Sequence, residues 1–186
     1  MALLNILKYP DPFLAVKAAR VETVDDGIKT LIADMTETMY HARGIGLAAT
    51  QVNVAKMVVV LDVPDEEIPP LEGEVKETGY KRGKNLIALI NPEILVAEGS
   101  IKFEEGCLSL PGETAEVERA THVKARAINQ KGQDVEFEAA GLFAIAVQHE
   151  IDHLNGILFI DRLSRLKREF IKRRLKKAHE AAVRAL

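Results

Sequence analysis

The stretch Gly141-Leu142-Phe143-Ala144-Ile145-Ala146-Val147-Gln148-His149-Glu150-Ile151-Asp152-His153-Leu154-Asn155-Gly156 decides how this chain is read. Its first half is apolar and free of proline, so the spacing predicts a helix from Gly141 to about His153, ended by Asn155-Gly156. His149 and His153 stand four residues apart on that helix and leave from nearly one face, with Glu150 beside the first. Two imidazoles so placed can bind one metal ion while the neighbouring carboxylate stays unbound and handles the protons of water. So short a pattern also arises by accident, and a single histidine on such a helix is ordinarily packed or capping. Two polar rings on a buried face, however, are costly without a shared partner.

A catalytic site with two histidines is one protein ligand short. Downstream, Asp161 is the only acid before a basic segment that also holds Glu169 and Glu180. Upstream, the single cysteine of the chain, Cys107, lies in Phe103-Glu104-Glu105-Gly106-Cys107-Leu108-Ser109-Leu110-Pro111-Gly112. An unpaired cysteine is most often a small buried apolar residue. Its thiolate would be stabilised by a metal, and Gly106 permits close backbone approach. Two rings and a thiolate would leave one position open for water.

A third stretch, Gly44-Ile45-Gly46-Leu47-Ala48-Ala49-Thr50-Gln51, follows a predicted helix and lacks both the third glycine of a dinucleotide fingerprint and a Gly-Lys-Ser ending. Nucleotide binding is therefore set aside. The plain reading is a helix-ending glycine and a tight small-residue segment beside a strand. The sharper one is backbone exposed for an extended peptide, with Gln51 near its carbonyl.

The chain has 186 residues, 47% hydrophobic and 28% charged, which suits a single ordered domain. No secretory segment or membrane-length apolar run is present, so a cytoplasmic protein with no membrane partner is expected. The net charge of -3 hides an asymmetry: residues 163–186 carry nine basic residues against two acids. A helix is predicted from Ile28 to about Ala42, capped by Asp25 or Asp26, then strands at Met57–Val63 and Leu86–Pro92. Between them, 64–84 reads as an exposed insertion. Short alternating segments at Ile94–Val96 and Ala115–Ala139 read as antiparallel strands, and Leu163–Leu186 as a long basic helix with an apolar stripe of Leu163, Leu166, Phe170, Leu175, Ala178 and Ala182. The expected class is α+β, with antiparallel strands packed around a central metal-binding HExxH helix, an N-terminal helix and a long C-terminal helix. Residues 1–162 would form the catalytic part and 163–186 a basic helix of the same domain.

Together, Gly44–Gln51, Glu105-Gly106-Cys107-Leu108-Ser109 and Gln148-His149-Glu150-Ile151-Asp152-His153 resemble the three motifs of the peptide deformylase family, in the family's order. The resemblance implies removal of the N-formyl group from the initiator methionine of nascent polypeptides, with release of formate. It implies Cys107, His149 and His153 as metal ligands, Glu150 as the proton carrier, and Gln51 with the backbone N–H of Leu108 as oxyanion donors. Ile45 and Gly46 would bind peptide backbone, and Leu142, Ile145 and Ala146 would hold the methionine side chain. Glu105 and Arg119 would form a supporting buried ion pair, while Asp152 would either orient a ligand ring or face solvent. The implied cofactor is one Fe2+ per chain, with Zn2+, Ni2+ or Co2+ able to substitute, although two nitrogens and a sulfur read first as zinc. The basic C-terminal helix would dock on the ribosome by attraction to phosphate, without sequence-specific nucleic acid contacts. Where many bacterial members carry an arginine after the cysteine motif, this chain has Gly112-Glu113-Thr114. Two rival classes remain: a zinc endopeptidase, which a thiolate ligand disfavours, and a ribosome-associated binding module with a structural metal, which the free Glu150 disfavours.

Overall fold

The computed structural model describes residues 2–64 and 82–184. Helix α1 spans Asp26–His41, and of its two candidate caps it is Asp25 whose carboxylate accepts from the Ile28 N–H at 2.8 Å. The Gly44–Gln51 stretch forms strand β1 at Gly46–Ala48 and a short 3-10 turn at Ala49–Val52. Strand β2 is Val58–Leu61, within the expected segment. Most of the expected insertion lies outside the described residues.

Strand β3 is longer than the sequence suggests, running Ile87–Glu98 through Asn91-Pro92 and absorbing the segment expected separately at Ile94–Val96. Proline has no N–H for the ladder, and the register shifts between Ile90 and Glu93 while the strand continues. Asn91 takes a φ of 52° there, and its buried amide exchanges two hydrogen bonds with the Val21 backbone, both at 2.8 Å. Strands β4 (Ile101–Gly106), β5 (Thr114–Arg119), β6 (His122–Ile128) and β7 (Asp134–Ala140) follow. Helix α2 is Gly141–Leu154, then comes a 3-10 turn at Phe159–Arg162, and helix α3 is Arg165–Arg184. The class is α+β, with three helices and antiparallel sheets.

One sheet has the order β1-β2-β3-β6-β7; β4 and β5 pair separately. The four residues of β2 are all buried because helices cover both faces of the larger sheet. Val58 and Val60 meet Ile28, Ile32, Met35 and Met39 of α1, whereas Val59 and Leu61 meet Ala144, Val147, Ile151 and Leu154 of α2. Alternation along one strand therefore serves two cores. A third core joins Leu110, Val117, Phe159 and Ile160 to Ile171 and Leu175 of α3. That corrects the expected stripe: Leu166 and Phe170 are 83% and 61% exposed, and Ile171, which the stripe omitted, is buried.

Candidate active site

Helix α2 sends its two faces to different tasks. Ala144, Val147, Ile151 and Leu154 enter the core, while Leu142, Ile145, Ala146, His149 and Glu150 line a pocket of about 240 Å³. The pocket residues, with His153, recur at three- and four-residue steps and so form one continuous helical stripe. Gln148 locks the helix in rotation: its amide exchanges hydrogen bonds with the Ala120 N–H (3.0 Å) and carbonyl (2.9 Å), pinning α2 to the β5–β6 corner.

At the inner end of the stripe, His153 Nε2 lies 3.2 Å from Cys107 Sγ and 3.2 Å from His149 Nε2. The ligand atoms of Cys107, His149 and His153 all fall within 4.8 Å of one another, forming a group that could hold a metal ion. The fit is chemical as well as spatial. Glu105 Oε2 stands 2.7 Å from His149 Nδ1, and because a carboxylate can only accept, Nδ1 carries the proton and Nε2 turns its lone pair toward the sulfur and the other ring. Three electron-pair donors this close need a proton or a metal cation between them. His153 Nδ1 is buried with no hydrogen-bond partner among the described residues, so that ring is held by its Nε2 side.

Burial and neighbouring charge set these groups apart. Burial works against charge on His149, yet its contacts with Cys107 and Glu105 hold its pKa well above the ordinary value. Burial pushes His153 the other way, well below, with the neighbouring His149 adding to the shift. Burial also tends to lift the Glu105 carboxyl, but hydrogen bonds from His149 and Arg119 outweigh it and keep that group ionised. Glu150 is raised by burial to about 7, and its Oε2 has no partner among the described residues. A carboxyl poised near neutrality and free to accept is suited to carrying protons.

Cys107 is presented by a turn that closes through Leu110 N–H to the Cys107 carbonyl at 3.0 Å. Its sulfur accepts from Ser109 N–H at 3.4 Å and from Gln51 Nε2 at 3.5 Å. Gln51 is buried, and its Oε1 accepts from Ala48 N–H at 2.9 Å, which aims the amide nitrogen into the site. Gly46 lies so near Glu150 that a Cβ there would stand 2.3 Å from Oε1. Only glycine lets β1 approach this closely. Because Asp62 N–H bonds the Ile45 carbonyl at 2.9 Å, alternation turns the backbone groups of Gly46 to the free edge of β1.

The structure thus gathers Cys107, His149, His153, Glu150, Gln51, Leu108, Ile45, Gly46, Leu142, Ile145 and Ala146 around one cavity. Glu105 and Arg119 form the buried pair behind it, at 2.6 Å. Asp161 does not join; it accepts from Leu158 N–H at 3.1 Å and pairs with Lys172 at 3.6 Å. Asp152 bonds neither histidine ring directly and does not face solvent. It is buried and binds Arg119 and Arg162, each through charged hydrogen bonds. Sequence reading missed Arg162, for which no local pattern exists, and Lys8, whose ammonium bonds the Leu108 carbonyl from a hundred residues away in sequence. It also missed Arg43 and Phe103 at the pocket wall. Glu113, in the segment where an arginine is absent, is instead paired with Arg174 of α3.

With this geometry in hand, comparison with known proteins is direct. The family model described as polypeptide deformylase matches residues 3–169. A peptide deformylase of Neisseria meningitidis is 49% identical over 183 residues, covering 98% of this chain and all of that protein. The crystal structure of a peptide deformylase from Legionella pneumophila superposes with a TM-score of 0.84 at 42% identity, covering 98% of this chain and 99% of that one. Another, from Ehrlichia chaffeensis in complex with actinonin, gives 0.83 at 37% identity, covering 96% and 98%. Members of this family are metal-dependent, and the three motifs, the fold and nearly the full length agree: the chain belongs to the polypeptide deformylase family.

Proposed function

We propose that this chain removes the N-formyl group from the initiator methionine of nascent polypeptides, with Cys107, His149 and His153 holding one metal ion and Glu150 moving the proton. The observation that carries this reading is the convergence of one sulfur and two ring nitrogens beside the Glu150 carboxyl, whose Oε2 has no partner among the described residues, in a pocket lined largely by apolar side chains. A metal bound there supplies Lewis acidity, lowering the pKa of water and polarising a carbonyl. Fe2+ is the proposed resident ion, one per chain, with Zn2+, Ni2+ or Co2+ able to replace it.

The chain's own groups do the rest. The peptide lies along the free edge of β1, pairing with the backbone at Ile45 and Gly46, and its methionine side chain packs on Leu142, Ile145 and Ala146. Glu150 takes a proton from water and delivers it to the departing amine. Gln51 Nε2 and the Leu108 N–H donate to the formyl oxygen as it gains charge, a role typically worth roughly 10²-fold or more in kcat for one donor. The Cys107 carbonyl faces Leu110 inside the turn, so the Leu108 N–H of the same trans peptide points out of it. Glu105, backed by Arg119, keeps His149 in the tautomer that leaves Nε2 free.

Residues 1–162 form the catalytic part in this reading, and 163–186 the basic C-terminal part, whose helix α3 is anchored to the same domain through Ile171 and Leu175. The exposed basic surface of that helix supports docking on ribosomal phosphate. No helix among the described residues is long and apolar enough to cross a membrane, and the proposed location is the cytoplasm. Actinonin, which the Ehrlichia chaffeensis protein holds, is expected to bind this chain as well.

The test is anaerobic purification with Fe2+, followed by formate release from formyl-Met-Ala-Ser measured against cleavage of internal peptides blocked at both ends. Formate alone is expected. Internal cleavage without formate would move the chain to the endopeptidase class, and stoichiometric metal with neither activity would make the ion structural.

A further inference from the structure

The charges behind the metal ligands do not stop at Glu105. Arg119, with a side chain 1% exposed, commits its Nε to Glu105 Oε1 (2.6 Å), its Nη2 to Glu105 Oε2 (3.0 Å) and its Nη1 to Asp152 Oδ2 (2.6 Å). Asp152 then receives Arg162 through both oxygens, Nε to Oδ2 at 2.5 Å and Nη2 to Oδ1 at 2.6 Å. Arg162 lies in the 3-10 turn that leads from α2 toward α3, and its side chain is 42% exposed. A continuous line of charged hydrogen bonds thus runs from the surface at Arg162 through Asp152, Arg119 and Glu105 to the His149 ring.

One guanidinium cannot neutralise two buried carboxylates. With Arg162 present the four groups balance, and its fork fixes the plane of Asp152 by two parallel bonds. Without it, Asp152 competes with Glu105 for Arg119. Glu105 is the group that cannot tolerate this, because its Oε2 serves both Arg119 Nη2 and His149 Nδ1, and a rotated carboxylate releases the ring.

We propose that Arg162 is a positioning residue of the metal centre, acting through Asp152 and Arg119 on the Glu105 carboxylate that orients His149. The proposal rests on Cys107, His149 and His153 being the metal ligands. Direct outer partners of metal-bound histidines typically change affinity roughly 10- to 100-fold, so a residue further along the line belongs at about the lower bound.

The test uses Co2+-loaded full-length protein at 20 °C, following loss of the Co2+ visible absorption into excess chelator. Wild type should hold one Co2+ per chain, and Cys107→Ser should change the spectrum; failure of either removes the ligand reading itself. With that reading standing, Arg162→Met should release Co2+ about tenfold faster, and Arg162→Lys, which keeps the charge and loses the fork, about threefold faster. Arg126→Met, which breaks the exposed pair with Glu93 on the larger sheet, should match wild type. A purely structural Arg162 would lower the apo-protein melting temperature and leave Co2+ release at wild-type rate, which overturns the proposal. Should Arg162→Met fail to fold, a folded Arg162→Lys with wild-type release overturns it equally.

Discussion

Helices α2 and α3 have opposite relations to their own charges. In α2, Glu150, Asp152 and His153 are all buried; Asp152 draws its partners from β5 and the 3-10 turn at Phe159–Arg162, and His153 meets the cysteine turn. In α3, twenty residues rich in lysine and arginine bury only Ile171 and Leu175. The basic helix holds nine lysines and arginines against two acids, yet the candidate site sits where charge has lost its water. Desolvation is what makes a carboxyl or an imidazole sensitive to one neighbour. A charge in solvent is worth little to the fold.

That contrast can be broken from its strongest side. Glu150→Gln keeps the shape and loses the proton acceptor, so kcat for formyl-Met peptides should fall by about 10³ with metal content unchanged. Because Oε2 of the wild-type carboxyl is buried without a partner among the described residues, melting of this variant should be no lower than wild type; retained turnover would sink the proton-transfer assignment. Next comes Arg119→Met, which leaves Glu105 and Asp152 sharing a buried negative charge. Denaturant unfolding should show a loss of roughly 3–5 kcal/mol, the usual cost of removing one partner from a buried pair.

Within α3 the same logic separates neighbours. Ile171→Ala should cost roughly 2–4 kcal/mol in thermal or denaturant unfolding, and Leu166→Ala less than about 0.5 kcal/mol, although the two are equally apolar in the sequence. Gly46→Ala should lower kcat/KM with a stability cost of roughly 1–3 kcal/mol, since the new methyl must displace the Glu150 carboxylate or β1. Smallest of all should be Arg173→Glu with Lys176→Glu and Lys177→Glu, exposed positions where stability and peptide turnover stay within about 0.5 kcal/mol of wild type. Co-sedimentation with ribosomes should nonetheless weaken in that triple variant and depend on salt; unchanged co-sedimentation would count against ribosome docking through α3.

Much of the site was legible because its parts are local. The four-residue spacing of His149 and His153, the glycines around Ile45 and the cysteine among small residues each carry a mechanism within ten residues. The helix boundaries of α1 and α2 follow from Asp25 and from Asn155-Gly156 for the same reason. The failures have a different origin. Strand β3 runs through Asn91-Pro92 because the Asn91 side chain bonds the Val21 backbone seventy residues away, a compensation no local reading supplies. The exposed stripe on α3 was misjudged because Leu166, Phe170 and Ile171 are alike in hydrophobicity, and only the surface offered by Phe159 and Ile160 selects which is covered.

The amino-acid sequence by itself determined the chemistry available: one thiol, two imidazoles on one helical face, a carboxyl between them and a strand that opens on a glycine to meet them. Tertiary structure decided which oxygen meets which nitrogen. It brought Cys107 to His153, turned Glu105 onto His149, buried Glu150 and gave Asp152 to two arginines. The physical reason is range. Backbone periodicity acts over one or two helical turns, whereas desolvation and charge pairing depend on every element packed around a group, and those elements come from across the whole chain.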